Sequence, residues 1–371
     1  MKQKKTLYGQ QGTVLVIAVF IASVIIAIAA RFTSGFQLSV ARTEQSIVNT
    51  QLQQFLYSVE DFSGWLLIED AQADSADGRY TINGVSASYD HLQEKWAVAI
   101  EAPIDDAKVE ANLEDALSRF NLNQLQGRPS PYNANGLFVE RYTTAQQRFI
   151  RLMQTHPDGI DASLAEEITQ AVIDWVDADS TLTGQGGAEN NYYEALDPSY
   201  RAANQFFISV TELRQVKGMT NEIYTYLEPF LIALPNTEGF NINTASLTLM
   251  RSINQQNVGT PLTEQDAEIL MGNRPAAIVA DDNNNLAEPP LTEAYESVED
   301  FLTSNEASQI FGVEPTTWPS NNGLRTGSEY FILTAKVSML DYQRSQISII
   351  KRESTAESVK TTVIRRTREQ L

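Results

Sequence analysis

The sequence predicts an α+β fold: a long N-terminal spine helix packed on an antiparallel sheet, with a large all-α domain inserted between strands. Three observations carry this prediction. An uncharged, strongly apolar run ends at Ala30 and passes into an amphipathic stripe without a proline. Strand patterning occurs before about residue 120 and again after about 325, and helical patterning fills the interval. The last three apolar stretches are β-branched and closely spaced, as in an antiparallel meander.

The run opens at Gly12-Thr13-Val14-Leu15-Val16-Ile17, and no charge lies between Lys5 and Arg31. At about 1.5 Å per residue, a helix over 13–30 just reaches across a hydrocarbon core of ~30 Å. Lys2, Lys4 and Lys5 precede it, which places that end in the cytoplasm and the rest of the chain across the membrane. A secretory signal has a shorter apolar core and a small-residue cleavage site beyond it. Here Arg31-Phe32-Thr33 follows the run, and the cleavable small residue, Gly12, stands before it. Cutting at Gly12 leaves the apolar helix on the mature chain, an arrangement that resembles a prepilin leader.

Beyond the bilayer Leu38, Ala41, Gln45, Val48, Leu52, Phe55 and Val59 recur in steps of three and four. Such a stripe packs against a partner while Arg42, Glu44, Asn49 and Gln53 face water. One helix from about Thr13 to about Asp61, roughly 70 Å long, follows from this spacing.

The 371 residues carry a formal charge of −20 and no cysteine. That acidity argues against nucleic acid and anionic lipid as partners, and disulfide or thiol chemistry has no residue to work with. Turn signals at Asp74-Ser75-Ala76-Asp77-Gly78 and Asn83-Gly84 separate candidate strands at Tyr80–Ile82 and Trp96–Ile100. Lys108–Asp115 reads as a further strand. Helical spacing follows in Phe149, Leu152 and Met153, then in Ile168, Ala171, Val172 and Trp175. Strands return at Phe331–Val337, Ser345–Lys351 and Val359–Arg366. The division is then a leader over 1–12, a spine helix over 13–60, a first α/β part over 61–120, an inserted helical domain over 121–325 and C-terminal strands over 326–371.

Phe120-Asn121-Leu122-Asn123 is echoed by Phe240-Asn241-Ile242-Asn243-Thr244-Ala245. Asn243 or Thr244 is expected to cap a helix. Asn241-Ile242-Asn243-Thr244-Ala245 also resembles the entry to helix-hairpin-helix modules that grip DNA backbones, and a helix, a turn at Gly218 and a second helix precede it. No basic field surrounds that turn, so a structural capping motif is expected.

Asp174-Trp175-Val176-Asp177-Ala178-Asp179 leads into the glycine-rich Gly184–Gly187 and Glu189-Asn190-Asn191. Clustered carboxylates repel one another unless a cation neutralises them, and hard oxygens suit Ca²⁺. The spacing is not that of an EF-hand, because Leu182 and Ala188 occupy the glycine and closing-carboxylate positions counted from Asp177. Nor is it a phosphate loop, since no Lys-Ser or Lys-Thr follows the glycines.

Taken with Tyr200-Arg201-Ala202-Ala203-Asn204, Thr211-Glu212-Leu213 and Gly218-Met219, these motifs run through most of the chain. In that order they resemble the large K-type minor pseudopilins of the type II secretion system. The resemblance implies a pseudopilin helix and sheet with an inserted helical domain, and a non-enzymatic place at the pseudopilus tip. It implies cleavage by a prepilin peptidase at Gly12–Thr13, with N-methylation of Thr13. Further implications are single-pass anchoring in the inner membrane with periplasmic domains, partners of I and J type together with the major pseudopilin, and structural calcium. Asp174, Asp177, Asp179 and Glu189 are the candidate ligands; Ile17, Leu38, Ala41, Val48, Leu52 and Phe55 are the candidate assembly residues. Most pilins carry Glu at the fifth mature position, where this chain has Ile17. An acid near the bilayer centre costs on the order of 2.5–3.5 kcal/mol, so Ile17 favours residence in the membrane and removes one assembly contact.

Two other readings are a type IV pilus minor pilin in adhesion or DNA uptake, and a membrane-anchored hydrolase using paired acids. The two histidines, His91 and His156, have no Ser or Cys motif near them in sequence.

Overall fold

The computed structural model describes residues 11–76, 81–82, 85–86, 89–129, 133–235, 239–272, 274, 294–355 and 358–368. The leader lysines, Tyr80, Asp77-Gly78 and Asn83-Gly84 lie outside them. Helix α1 spans Gln11–Ala76. It continues past the predicted end near Asp61 and through Asp74-Ser75-Ala76, which the sequence placed in a turn. The reason is packing: Leu66, Leu67 and Ala71 are buried and extend the apolar stripe.

Five strands form one antiparallel sheet: β1 (Ile100–Ile104), β2 (Ala107–Asp115), β3 (Tyr330–Met339), β4 (Tyr342–Ser354) and β5 (Val359–Thr367). Their order in space is β5-β4-β3-β2-β1. The expected strand at Trp96–Ile100 is instead a 3₁₀ turn over Lys95–Ala97, with the strand beginning at Ile100. Trp96 is buried there, its ring edge-on to Phe331 at 5.1 Å, so the indole fills the core from a turn.

Strands β2 and β3 pair from Ala107↔Met339 to Asp115↔Phe331. The chain between Asp115 and Tyr330 therefore leaves and re-enters the sheet at neighbouring points, as tolerated insertions do. It builds its own core around Phe120, Phe149, Val172, Tyr193, Phe240 and Phe301. A second core lies between α1 and the sheet, where Leu52, Leu56 and Leu67 meet Val109, Leu113, Leu333 and Val337. Each leucine buried so completely is worth about 1.5–3 kcal/mol. On the other sheet face Tyr330, Ile332 and Ile349 pack with Leu117, Ile232 and Leu234, joining the two bodies.

The stripe on α1 divides by location. From Thr13 to Ile47 every described side chain is exposed; Ile17 is 57 % and Leu38 53 % accessible, and Ala41 is also open. Val48 and Leu52 are buried against this chain's own sheet. They are thus occupied within the subunit rather than free for a neighbour. Leu56, not the half-buried Phe55, is the fully enclosed residue of that turn. Gln53, expected to face water, donates to Gln346 at 3.3 Å. Gly64 has a packing reason: a Cβ there would lie 2.8 Å from Thr361 Oγ1 of β5. Glu60 is buried and accepts from Gln346, Ser348 and Arg366 at 2.5–3.0 Å, tying the helix to β4 and β5.

The two Phe-Asn echoes prove to be one device used twice. Phe120 pairs in parallel with Leu231, and Phe240 with Leu324. Asn123 clamps the backbone of Phe207, accepting its N–H at 2.7 Å and donating to its C=O at 3.0 Å. Asn243 does the same to Tyr295, both at 3.0 Å. The expected cap at Asn243 or Thr244 is corrected accordingly: Ser246 caps the helix Leu247–Met250, and the buried Asn side chains serve long-range backbone clamping.

Candidate metal centre

Helix α3 (Ala162–Val176), packed against α2 (Thr144–Met153), leads into the acidic site. Asp174 lies in the last turn of α3 and Asp177 ends it in extended conformation, so the chain turns away with its acids on the loop side. Asp179 follows, its Oδ1 accepting from Thr181 N at 2.7 Å. The glycine-rich loop then folds back over α3, with Gly186 N donating to Gln170 Oε1 at 2.8 Å. Lys217 Nζ grips the carbonyls of Gly186 and Gly187 at 3.1 and 3.2 Å. Glu189 arrives just before the short helix Asn190–Tyr193.

This loop brings Asp177, Asp179 and Glu189 together, with one carboxylate oxygen of each within 4.8 Å of the others. Ca²⁺ takes oxygen ligands at about 2.3–2.6 Å, so that separation matches oxygens on opposite sides of one ion. Asp174 is not part of this trio. Its Oδ1 accepts from Thr183 N at 2.8 Å, and its Oδ2 is buried without a hydrogen-bond partner.

The donor set is short of protons to accept. Both carboxylate oxygens of Glu189 and Oδ1 of Asp177 are buried without a hydrogen-bond partner, and Glu189 as a whole is only 5 % exposed. Burial, then the charges of Asp179 and Asp174, pushes Asp177 up to about 6, with Arg128 pulling the other way. Burial, followed by the charges of Asp174, Asp177 and Asp179, raises Glu189 to about 7. Burial also raises Asp174. Orphaned anionic oxygens of this kind fit a divalent cation, which would supply the missing positive charge.

Gly187 is dictated by close approach: a Cβ there would fall 2.3 Å from Asp174 Oδ2. Asn204 is a contributor that sequence reasoning left without a role. Its Nδ2 donates to the Asp179 carbonyl at 3.2 Å, its Oδ1 is buried without a partner, and its φ is 46°. Asn adopts that left-handed conformation more readily than most residues, and the position lies in the Tyr200–Asn204 motif. Behind the site, Trp175 stacks edge-on to Tyr193 at 5.2 Å and holds the end of α3. The other acidic group, Asp70, Asp90 and Glu94, already has a cation, because Arg352 reaches both Asp70 and Asp90.

Residues 118–236, which include the acidic site, match the family described as type II secretion system (T2SS), protein K. A type II secretion system protein K of Aeromonas hydrophila is 32 % identical over 237 residues, covering 63 % of this chain and 67 % of that protein. The chain belongs to the type II secretion system protein K family. The likeness to a family member from Pseudomonas aeruginosa is 26 % over 348 residues, 93 % of this chain and 89 % of the relative. The K-family fold is also found in the crystal structure of the GspK-GspI-GspJ complex from enterotoxigenic Escherichia coli. One chain of it superposes with a TM-score of 0.65 at 23 % identity, over 89 % of this chain and 100 % of that one.

Proposed function

We propose that this K-family chain is a non-enzymatic minor pseudopilin of the pseudopilus tip. The observation that carries the reading is α1 itself. Residues 13–30 are uncharged, apolar and open along their whole circumference, the stretch on to Ile47 is exposed and amphipathic, and from Val48 the helix is sealed onto the chain's own sheet. A helix apolar all round suits lipid or a helical bundle, and one helix here is long and apolar enough to cross a membrane. Cleavage at Gly12–Thr13 would leave this helix in place, lodged in the inner membrane with the globular bodies in the periplasm.

In this account the exposed segment including Ile17, Leu38 and Ala41 packs against other pseudopilins of I and J type and joins them to the major filament. The helical body between β2 and β3 stands above, too bulky to admit a further subunit, and so caps a filament that supports export of folded proteins. A crystal structure of a K–I–J complex of the same fold supports that partnership. Calcium is held by Asp177, Asp179 and Glu189, with Asp174 and Asn204 behind them, and braces the loop after α3. Co-purification tests the reading. Full-length chain isolated from membranes is expected to bring down I- and J-type pseudopilins, and recovery with pilus components instead would contradict it.

A further inference from the structure

A cavity of about 330 Å³ opens beside the start of α2, lined in part by Gln124, Gln126, Thr144, Arg148 and Gly323. Arg148 is only 2 % exposed. Its Nη1 and Nη2 donate to the carbonyls of Asn322 and Ser320 at 2.6 and 2.7 Å. Those two bonds use part of the five-donor fork, and among the described residues no carboxylate pairs with it. Burial first, and the like charge of Arg151 second, disfavour its positive charge. The contrast with Arg352, which is equally buried but held by two aspartates, is direct.

A buried guanidinium without a counter-ion is expensive. A second donor is also left over: Gln124 Nε2 is buried without an acceptor, while its Oε1 takes Gly239 N at 3.0 Å. The first turn of α2 adds its N-terminal field. Thr143 Oγ1 satisfies Gln146 N, and Thr144 stands one turn before Arg148 on the same side of the helix. Besides the two carbonyls, the Phe240 ring faces the Arg148 guanidinium at 5.6 Å. Among the described residues the single positive charge still has no anion beside it, and one charge suits a carboxylate better than a dianionic phosphate.

We propose that this cavity is a carboxylate-binding site, with Arg148 and Gln124 as its donors. The acid is either a small free molecule or the carboxylate of a peptide.

Thermal denaturation of the full chain in detergent tests this, in sodium acetate against sodium chloride at equal ionic strength. Acetate also stabilises proteins generally, so the informative quantity is the difference between variants. Thr144→Glu places a carboxylate one helical turn from Arg148 and is expected to remove the acetate-specific rise in Tm, whereas Thr144→Gln retains it. An equal acetate response in wild type and both variants would overturn the proposal, as would a response to phosphate with none to acetate. A short peptide with a free C-terminal carboxylate, compared with its amide, identifies the source. Stabilisation by the acid form alone supports a peptide ligand; a response to acetate with none to either peptide supports a small free acid.

Discussion

Arg352 Nη2 lies 2.6 and 2.7 Å from the two carboxylate oxygens of Asp90, with the side chains 3 % and 0 % exposed. The same guanidinium reaches Asp70 of α1 at 3.0 Å and the Ser328 carbonyl at 2.9 Å. Asp90 in turn accepts from Ser328 N at 2.6 Å, and its carbonyl accepts from Asn241 of the helical body at 2.9 Å. One cation thus joins the spine, the sheet and the inserted helices. Arg352→Met should destabilise the chain by about 3–5 kcal/mol, because it strands buried carboxylates. Denaturant unfolding at neutral pH measures this, and a loss below about 1 kcal/mol would contradict the role.

Asp115 sits at the same junction, accepting from Thr244 Oγ1 at 2.5 Å and Asn241 Nδ2 at 2.9 Å. Burial first, and the charge of Asp90 second, raises it to about 6. A carboxyl raised in the folded state binds its proton more tightly there than in the unfolded chain. Its contribution to stability therefore grows as pH falls from about 6 towards 4 and is lost as pH rises through 6. The stability of wild type relative to Asp115→Asn should fall across that window and level off above pH 7. Parallel unfolding titrations of the two proteins check this, and a flat difference would contradict it.

Calcium should raise Tm, with the stabilisation growing as RT ln(1 + [Ca²⁺]/Kd), about 2.7 kcal/mol at a hundredfold excess over Kd. Replacing Asp177 and Asp179 together by Ala should abolish the shift. Protons compete for the same oxygens, and Asp177 and Glu189 titrate near 6 and 7. The calcium-induced shift should therefore shrink as pH is lowered from 8 to 5.5. Melting curves with calcium or a chelator at the two pH values decide it, and an unchanged shift in the double variant rejects the ligand assignment.

Gly187→Ala sets a methyl against Asp174 Oδ2 and the backbone of Thr183. Overpacking of this kind costs about 1–3 kcal/mol, and here it should also weaken calcium binding. Calorimetric titration of the variant with calcium measures the effect; wild-type affinity would show that the loop does not depend on this close approach.

Much of the fold was legible because periodicity reports burial. The β-branched, closely spaced runs from Phe331 onward marked the antiparallel meander, and the steps Val48, Leu52 and Val59 named the buried face of α1. The residue that closes the next turn, Leu56, was passed over for Phe55, since both fit a stripe of three- and four-residue steps. Glu60, Arg148 and Arg352 were illegible for a different reason. A charged residue reads as exposed until a partner distant in sequence is known, and their partners come from remote segments. Asn243 was misread because an amide that caps a helix and one that clamps a remote backbone are the same residue type. Within the candidate site, adjacency in sequence revealed the acids but not their grouping. Asp174 turns inward to Thr183, whereas Glu189, a whole loop away, completes the trio.

The mature N terminus tests the central claim most directly. Mass spectrometry of the chain purified from its native membrane is predicted to find N-methylated Thr13 as the first residue, with the apolar segment of α1 intact. A chain beginning beyond Ala30 would contradict the account, since the helix on which membrane residence and assembly both rest would have been discarded.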